Sequence, residues 1–391
     1  MIIQDRIRLT VPFPYFIGGF MIWTFWFLEF LIYLPMAFFT FIGNYFNQLG
    51  FSDLQNGILG STAAIVILVS NPFWMHISDQ RVKNTILSFI AFVAAISIWL
   101  IYFFKDFWAI FILAFAIGFL WTSIVPIAES ITSYNASKRG FSFGKARMMG
   151  SLGYAFIMFV FGYITNDFFF FLLGSLSFAI IGIMAFVVPK TQGYNEGKHT
   201  SFSLKALPSQ FYRMLIFEIL VISSNTFALY FMPIFMKSRG YPVFLAGIAM
   251  AVQALAEIPF LFVADRIVKW LGVKKMLVIA SLLFGIRWIL TFITFNPLLI
   301  VALQAFEFFN WIAIYYAVFY YVNSKIEPSR RSDAHAIFWM ATSGLSMIFG
   351  YVFGGWISGT LGVANGYLFF GIFTIVIGII YALFEKSPDL D

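Results

Sequence analysis

The sequence predicts an all-α polytopic membrane protein, with twelve transmembrane helices in two pseudo-symmetric halves of six. Three observations carry this. Hydrophobic residues make up 61% of the 391-residue chain and charged residues only 10%, with a mean hydropathy of +0.91, whereas a soluble domain carries about 25% charged residues. The apolar residues come in runs of about 20 or more, the length a helix needs to cross the hydrocarbon core. A polar stretch over 190–210, KTQGYNEGKHTSFSLKALPSQ, divides these runs into two sets.

The runs place spans at about 18–43, 54–75, 84–104, 107–134, 144–166, 168–189, 211–236, 243–265, 273–295, 297–323, 333–359 and 364–385. The expected organisation is a first bundle over 1–189, a linker over 190–210 and a second bundle over 211–391, since a polar linker is the usual joint between two membrane halves. The first run is full length and lacks a small-residue cleavage site, so no cleavable signal peptide is expected. Ahead of it lies a short tail with Arg6 and Arg8.

Lys and Arg set the orientation. Of the 24, Lys105, Lys237 and Arg239 fall in loops on one side, Arg287 is mid-span, and the other 20 fall in the tails and in loops on the opposite side. That bias puts both termini in the cytoplasm and explains the net charge of +7 without nucleic acid. There is no Cys, which excludes disulfides and thiolate chemistry, and His76, His199 and His335 are too scattered to suggest a metal site.

An internal echo supports two related halves. Span two ends NPFWMHISDQRVKN and span eight ends EIPFLFVADRIVKWLGVKK, each with Pro-Phe and then an Asp, Asp79 or Asp265, followed by basic residues. Asp79, Arg81, Asp265 and Arg266, with Arg330 and Arg331, are candidates for salt bridges that gate the cytoplasmic side; surface solvation is the plainer role. Gly350, Gly354, Gly355 and Gly359 in span eleven suggest close helix packing.

Seven charged residues fall within apolar runs: Glu29, Glu129, Arg147, Glu218, Glu257, Arg287 and Glu307. Charges in a membrane interior are costly, face a cavity or a partner, and mark solute or ion routes. Glu129 and Arg147 flank the loop between spans four and five in PIAESITSYNASKRGFSFGKARMMGSLGY; each is expected roughly 6–8 Å inside its helix. Arg287 and Glu307 flank the turn at Asn296 and are expected roughly 13–17 Å deep, near the midplane, where they can meet. Such a pair can handle a proton, or it can be a fixed ion pair that locks two helices. Glu257, just before Pro259, is also deep; binding and structural roles are balanced for it. Glu29 is expected to line a cavity from span one. Glu218 is expected near the cytoplasmic edge, where solvation would suffice. Tyr154 can stack on a sugar or base face, or simply pack.

The PxxE of 126–129 followed by FGKARMMG of 143–150 resembles the lactose permease branch of the major facilitator superfamily. The resemblance follows the whole chain in span order and is most specific over 126–154. It implies that Glu129 and Arg147 are the principal sugar-binding charges, that Ser151 is a small residue of the same site, and that Tyr154 replaces a stacking Trp. It also implies that Arg287 and Glu307 are the proton-coupling pair, with Gln304 at the position of a coupling His. The family's two Asp–Lys pairs fall on Asn225, Ala228, Val301 and Ser343, all neutral. Its sugar-site Glu on span eight falls near Met250, with Gln253 close to another binding position. Glu257 instead resembles the related nucleoside and phenylpropionate permeases.

The expected function is therefore proton-coupled symport of a small polar solute, a sugar or oligosaccharide, by alternating access in the bacterial inner membrane. The alternatives are a nucleoside or aromatic-acid permease, or an exporter of the same fold. No cofactor beyond the coupling proton is expected, nor a partner beyond solute and bilayer; the resemblance implies a monomer. An enzyme is not expected, because the loops are too short to hold a catalytic domain.

Overall fold

The structure is a computed structural model that describes residues 14–193, 207–327 and 330–385, without the side chains of 14–21 and 332–333. Most of the linker over 190–210, the basic tail with Arg6 and Arg8, His199 and Lys386 lie outside the described residues. All twelve spans are present as helices. Span one is Pro14–Leu31 and Pro35–Gln48, span two Asp53–Gln80, span three Lys83–Phe103, and span four Phe107–Trp121 and Ile124–Arg139. Span five is Phe143–Gly162, span six Asp167–Val187, span seven Ser209–Ser238, span eight Phe244–Leu271 and span nine Val273–Ile293. Span ten joins Pro297–Leu303, Gln304–Phe309 and Trp311–Lys325; span eleven joins Arg331–Met340, Ala341–Leu345 and Ser346–Leu361; span twelve is Val363–Phe384. Among the described residues, 11 spans are long and apolar enough to cross a membrane by length and composition. The remaining one, span five, is diluted by Lys145 and Arg147 in its first two turns.

The breaks have local causes. Proline lacks an N–H and its ring clashes with the carbonyl four residues back. Pro35 faces the carbonyl of Leu31, where the first segment of span one ends. Pro126 faces that of Thr122, where span four breaks. Pro259 sits inside span eight without ending it. Span two starts on a capping box: the Ser52 hydroxyl accepts from the Gln55 amide N–H at 3.2 Å, and the Gln55 side chain accepts from the Ser52 N–H at 2.9 Å. The turn between spans four and five needs Gly140, whose φ of 74° lies in the left-handed region.

Within the first six spans, three packs on six, two on four, and one on five; within the last six, nine packs on twelve and seven on eleven. The two sets meet where two packs on eleven and five on eight. These contacts are concentrated at the ends of the spans away from the basic loops, called here the far end. There the Ser358 hydroxyl donates to Asp53 at 2.5 Å and the Tyr230 hydroxyl to the Asn56 carbonyl at 3.1 Å. Tyr163 stacks on Phe244 at 4.9 Å. Small residues allow this approach. A Cβ on Gly57 would collide with the Tyr351 carbonyl, one on Gly247 with the Met158 carbonyl, and one on Gly355 would stand 2.5 Å from the Asp53 carbonyl. The packing role expected of the span-eleven glycines is the one they have.

Because those neighbours are backbone atoms, Gly57→Leu and Gly247→Leu cannot be absorbed by a side-chain rotation. Overpacking of this kind costs about 1–3 kcal/mol, enough to shift a two-state balance about 5- to 150-fold. Both variants are expected to hold the far end open. The check is maleimide labelling of a single Cys introduced at Ser151, which should rise from the far side.

Candidate functional site

Span five carries Arg147 four residues from its start, about 6 Å along the axis. Span four runs on to Arg139, so Glu129 is ten residues from that end, about 15 Å, deeper than its expected 6–8 Å. The long Arg147 side chain closes the gap: its Nε lies 2.6 Å from Glu129 Oε1. Span one adds a third partner. The Tyr33 hydroxyl donates to the same Glu129 oxygen at 3.0 Å, and the Arg147 guanidinium lies 4.4 Å from the centre of the Tyr33 ring. Gly150 makes room, since a Cβ there would stand 2.6 Å from the Tyr33 ring.

This pair is open. The Arg147 and Glu129 side chains are 37% and 27% exposed although they lie within the membrane-spanning bundle. What they face is the other half: Tyr315 of span ten and Glu257 of span eight are within electrostatic reach of Arg147. Tyr154, half-buried two turns along span five, is near Glu257 and Tyr351. Ser151 is half-buried and lies between Arg147 and Tyr154 in sequence. Glu257 is half-buried and lies in the combined field of Arg147, Arg287 and Glu307. Charged residues of both halves thus lie within electrostatic reach of one another between the halves.

The second pair is closed. Arg287 and Glu307 are both 0% exposed and form an ion pair through Nη1 and Oε2. Arg287 also donates to Gln304 Oε1 and, through Nη2, to Gln253 Oε1 at 2.9 Å. Gln253 in turn donates to Asn225 Oδ1 at 3.3 Å. Gln304–Phe309 is a 3-10 turn, in which residues three apart eclipse one another. That puts Gln304 and Glu307 on one side, toward Arg287. The second Glu307 oxygen, Oε1, is buried without a hydrogen-bond partner.

The placements expected of Glu29 and Glu218 are corrected, and the other candidates lie as follows. Gln253, read as solute-binding, is buried and spends its amide on Arg287 and Asn225. Glu29, read as lining a cavity, is fully buried, with both oxygens unpartnered. Glu218, read as an edge residue open to solvent, is fully buried against Thr342. Among the described residues, Asp79, Arg81, Asp265 and Arg266 make no salt bridge between the halves. Asp79 pairs with Lys83 at 2.6 Å, within its own half. Asp265 accepts from Tyr316 at 2.5 Å, again within its half. Arg81 and Arg266 are exposed, while Arg331 donates to the Ile326 carbonyl at 2.9 Å. With contact concentrated at the far end, the basic ends of the halves do not draw these groups together. Tyr33 was missed altogether.

A twelve-helix bundle with a charged central space between two packed halves is the architecture of a secondary transporter. Residues 22–369 match the model of the MFS_1 like family, and the chain belongs to that family of the major facilitator superfamily. It is 25% identical over 338 residues to a maltose permease of Geobacillus stearothermophilus, covering 84% of this chain and 85% of the relative. It is 24% identical over 293 residues to a lactose permease of Citrobacter freundii, covering 70% of each. A crystal structure of a mutant of the nucleoside transporter NupG superposes with a TM-score of 0.82 at 18% identity, covering 94% of this chain and 100% of that one. The chain is a multi-pass membrane transporter and not an enzyme.

Proposed function

We propose that the protein is a proton-coupled symporter of a sugar or oligosaccharide, working as a monomer in the bacterial inner membrane with both termini in the cytoplasm. The observation that carries the solute site is the exposed Glu129–Arg147 pair, held inside the bundle and facing the opposite half. A guanidinium offers a planar fork of donors and a carboxylate offers acceptors, which together suit vicinal hydroxyls. The maltose and lactose permeases among its relatives favour a sugar over a nucleoside. The Lys and Arg bias makes the basic end cytoplasmic, so closure at the far end corresponds to a state facing inward.

The sealed Arg287–Glu307 pair is the proposed proton site. Protonation of Glu307 would neutralise the carboxylate and loosen its hold on Arg287, which also tethers spans eight and ten through Gln253 and Gln304. Solute and proton then bias the same rocking motion, each through its different affinity for the two states.

The test uses purified protein in liposomes loaded with a pH-sensitive dye. Maltose, lactose, a nucleoside and a phenylpropionate-like acid are each added outside without a membrane potential. The expected result is lumenal acidification with a disaccharide, lost in Glu129→Gln. Uptake of a disaccharide with no pH change would sink the proton part; acidification by the nucleoside alone would replace the sugar.

A further inference from the structure

Glu218 of span seven lies apart from both pairs and is 0% exposed. Among the described residues no cation lies against it. Its Oε1 stands 2.6 Å from the Thr342 hydroxyl of span eleven, and its Oε2 has no hydrogen-bond partner. The same hydroxyl lies 2.9 Å from the Phe338 carbonyl oxygen. A hydroxyl carries one hydrogen, so Thr342 can donate in full to only one of the two acceptors. The conflict disappears if the Glu218 carboxyl is protonated: it donates to Thr342 Oγ1, and Thr342 donates to Phe338. As a carboxylate, Glu218 would be a buried charge with no counter-ion.

The groups facing it are few. Span ten offers Tyr315, which is within electrostatic reach. Span eleven offers Thr342, and span twelve offers Tyr381, which packs on the adjacent Phe217 at 4.3 Å. Spans one, eight and nine touch span seven further along, at Tyr230, Asn225 and Ser224.

Thr342 is not in ordinary helix. Ala341–Leu345 is a π turn, and the Ser346 hydroxyl donates to the Thr342 carbonyl within it. Such turns are inserted irregularities that recur at functional sites. Gly344 of this turn lies beside Leu68 of span two, and Gly355 beyond it packs on Asp53. The shape of span eleven is therefore tied to the contact between the halves.

We propose that Glu218 is a second proton-binding site, separate from Arg287–Glu307, and that the proton it shares with Thr342 stabilises the π turn and with it the closed far end. Removing the proton forces the Thr342 hydroxyl to turn from Phe338 to the carboxylate and draws water toward span seven. The state in the structure holds the proton, so raising the pH shifts the population away from it. The site does not depend on which solute is carried, and its test needs none.

Infrared spectra of the purified protein in nanodiscs should contain a protonated-carboxyl carbonyl band that Glu218→Gln removes, Thr342→Val shifts, and Glu307→Gln leaves in place. The chain has no Cys, so a far-end pair can be introduced directly as Leu54→Cys with Gly359→Cys, positions that touch across the halves. Its cross-linking yield, relative to the same pair with Glu218→Gln, should fall at least about threefold between about pH 6 and about pH 9, the response of one titrating group that differs between two states. The amide of that variant keeps a donor toward Thr342 and cannot ionise, so it should stay cross-linked throughout. A carboxyl region unchanged by Glu218→Gln overturns the proton site. Cross-linking curves that coincide overturn its link to the far end.

Discussion

Arg287→Ala is expected to lower the stability of the purified protein by about 3–5 kcal/mol, the cost of breaking a buried ion pair from one side. The guanidinium is fully buried and serves Glu307, Gln304 and Gln253 together. Its loss leaves a charge and two amide oxygens unsatisfied among buried groups. The paired replacement Arg287→Met with Glu307→Leu removes both charges at similar volume and is expected to recover most of the loss, since apolar substitutes for buried ion pairs are often neutral or better. Thermal unfolding in detergent reads both. Glu307→Gln keeps the shape and the hydrogen-bonding capacity but not the charge; it is expected to retain solute exchange across liposomes while losing accumulation against a gradient. If Arg287→Ala melts like the wild type, the pair is hydrated in solution and cannot be the sealed site described here.

Whether the sequence showed such a feature depended on what its signal rested on. The twelve spans were legible because the bilayer demands apolar runs of a fixed length. The meeting of Arg287 with Glu307 was legible for a related reason: a tight turn joins their spans, so counting residues from Asn296 gives both depths. The same counting failed for Glu129, because span four continues for five residues beyond the boundary that hydropathy suggested at 134, to Arg139. It also misled for Glu218. Seven residues from the expected start of span seven at 211 suggests the cytoplasmic edge, but burial there is decided by span eleven, whose π turn brings Thr342 against it. Neither that turn nor the 3-10 turn over Gln304–Phe309 contains a proline, and the Ser343-Gly344 pair in the π turn is only a weak local signal. The breaks at Leu31 and Thr122 did have signals, Pro35 and Pro126. Tyr33 was hidden by composition: with 21% aromatic residues, one tyrosine does not stand out until the fold sets it under Arg147. The partners of Gln253 were not legible, because sequence position gives its span and depth but not which neighbour its amide will find.

Arg147→Ala and Glu129→Gln are each expected to weaken solute binding about 30-fold to several thousand-fold, the 2–5 kcal/mol typical of removing one member of a charged, hydrogen-bonded recognition pair. Unlike Arg287→Ala, they should leave the melting temperature of the unliganded protein nearly unchanged, because both side chains are partly exposed and the group left behind can be hydrated. Arg147→Lys tests geometry separately from charge. An ammonium keeps the cation but not the planar fork, nor the same stacking on Tyr33, so its binding should resemble that of the alanine variant more than the wild type. Tyr33→Phe preserves the ring and removes only the hydroxyl that donates to Glu129. Its expected effect is about 2- to 12-fold, the worth of a single hydrogen bond of about 0.5–1.5 kcal/mol. Calorimetric titration with the disaccharide that moves protons in liposomes would rank all four. A site that binds through this pair gives the order Arg147→Ala, Arg147→Lys, Tyr33→Phe, wild type from weakest to strongest, with stability flat across it. If affinity stays at the wild-type level while stability falls, the pair is a brace between spans four and five, and the solute site must be sought nearer Glu257 and Tyr154.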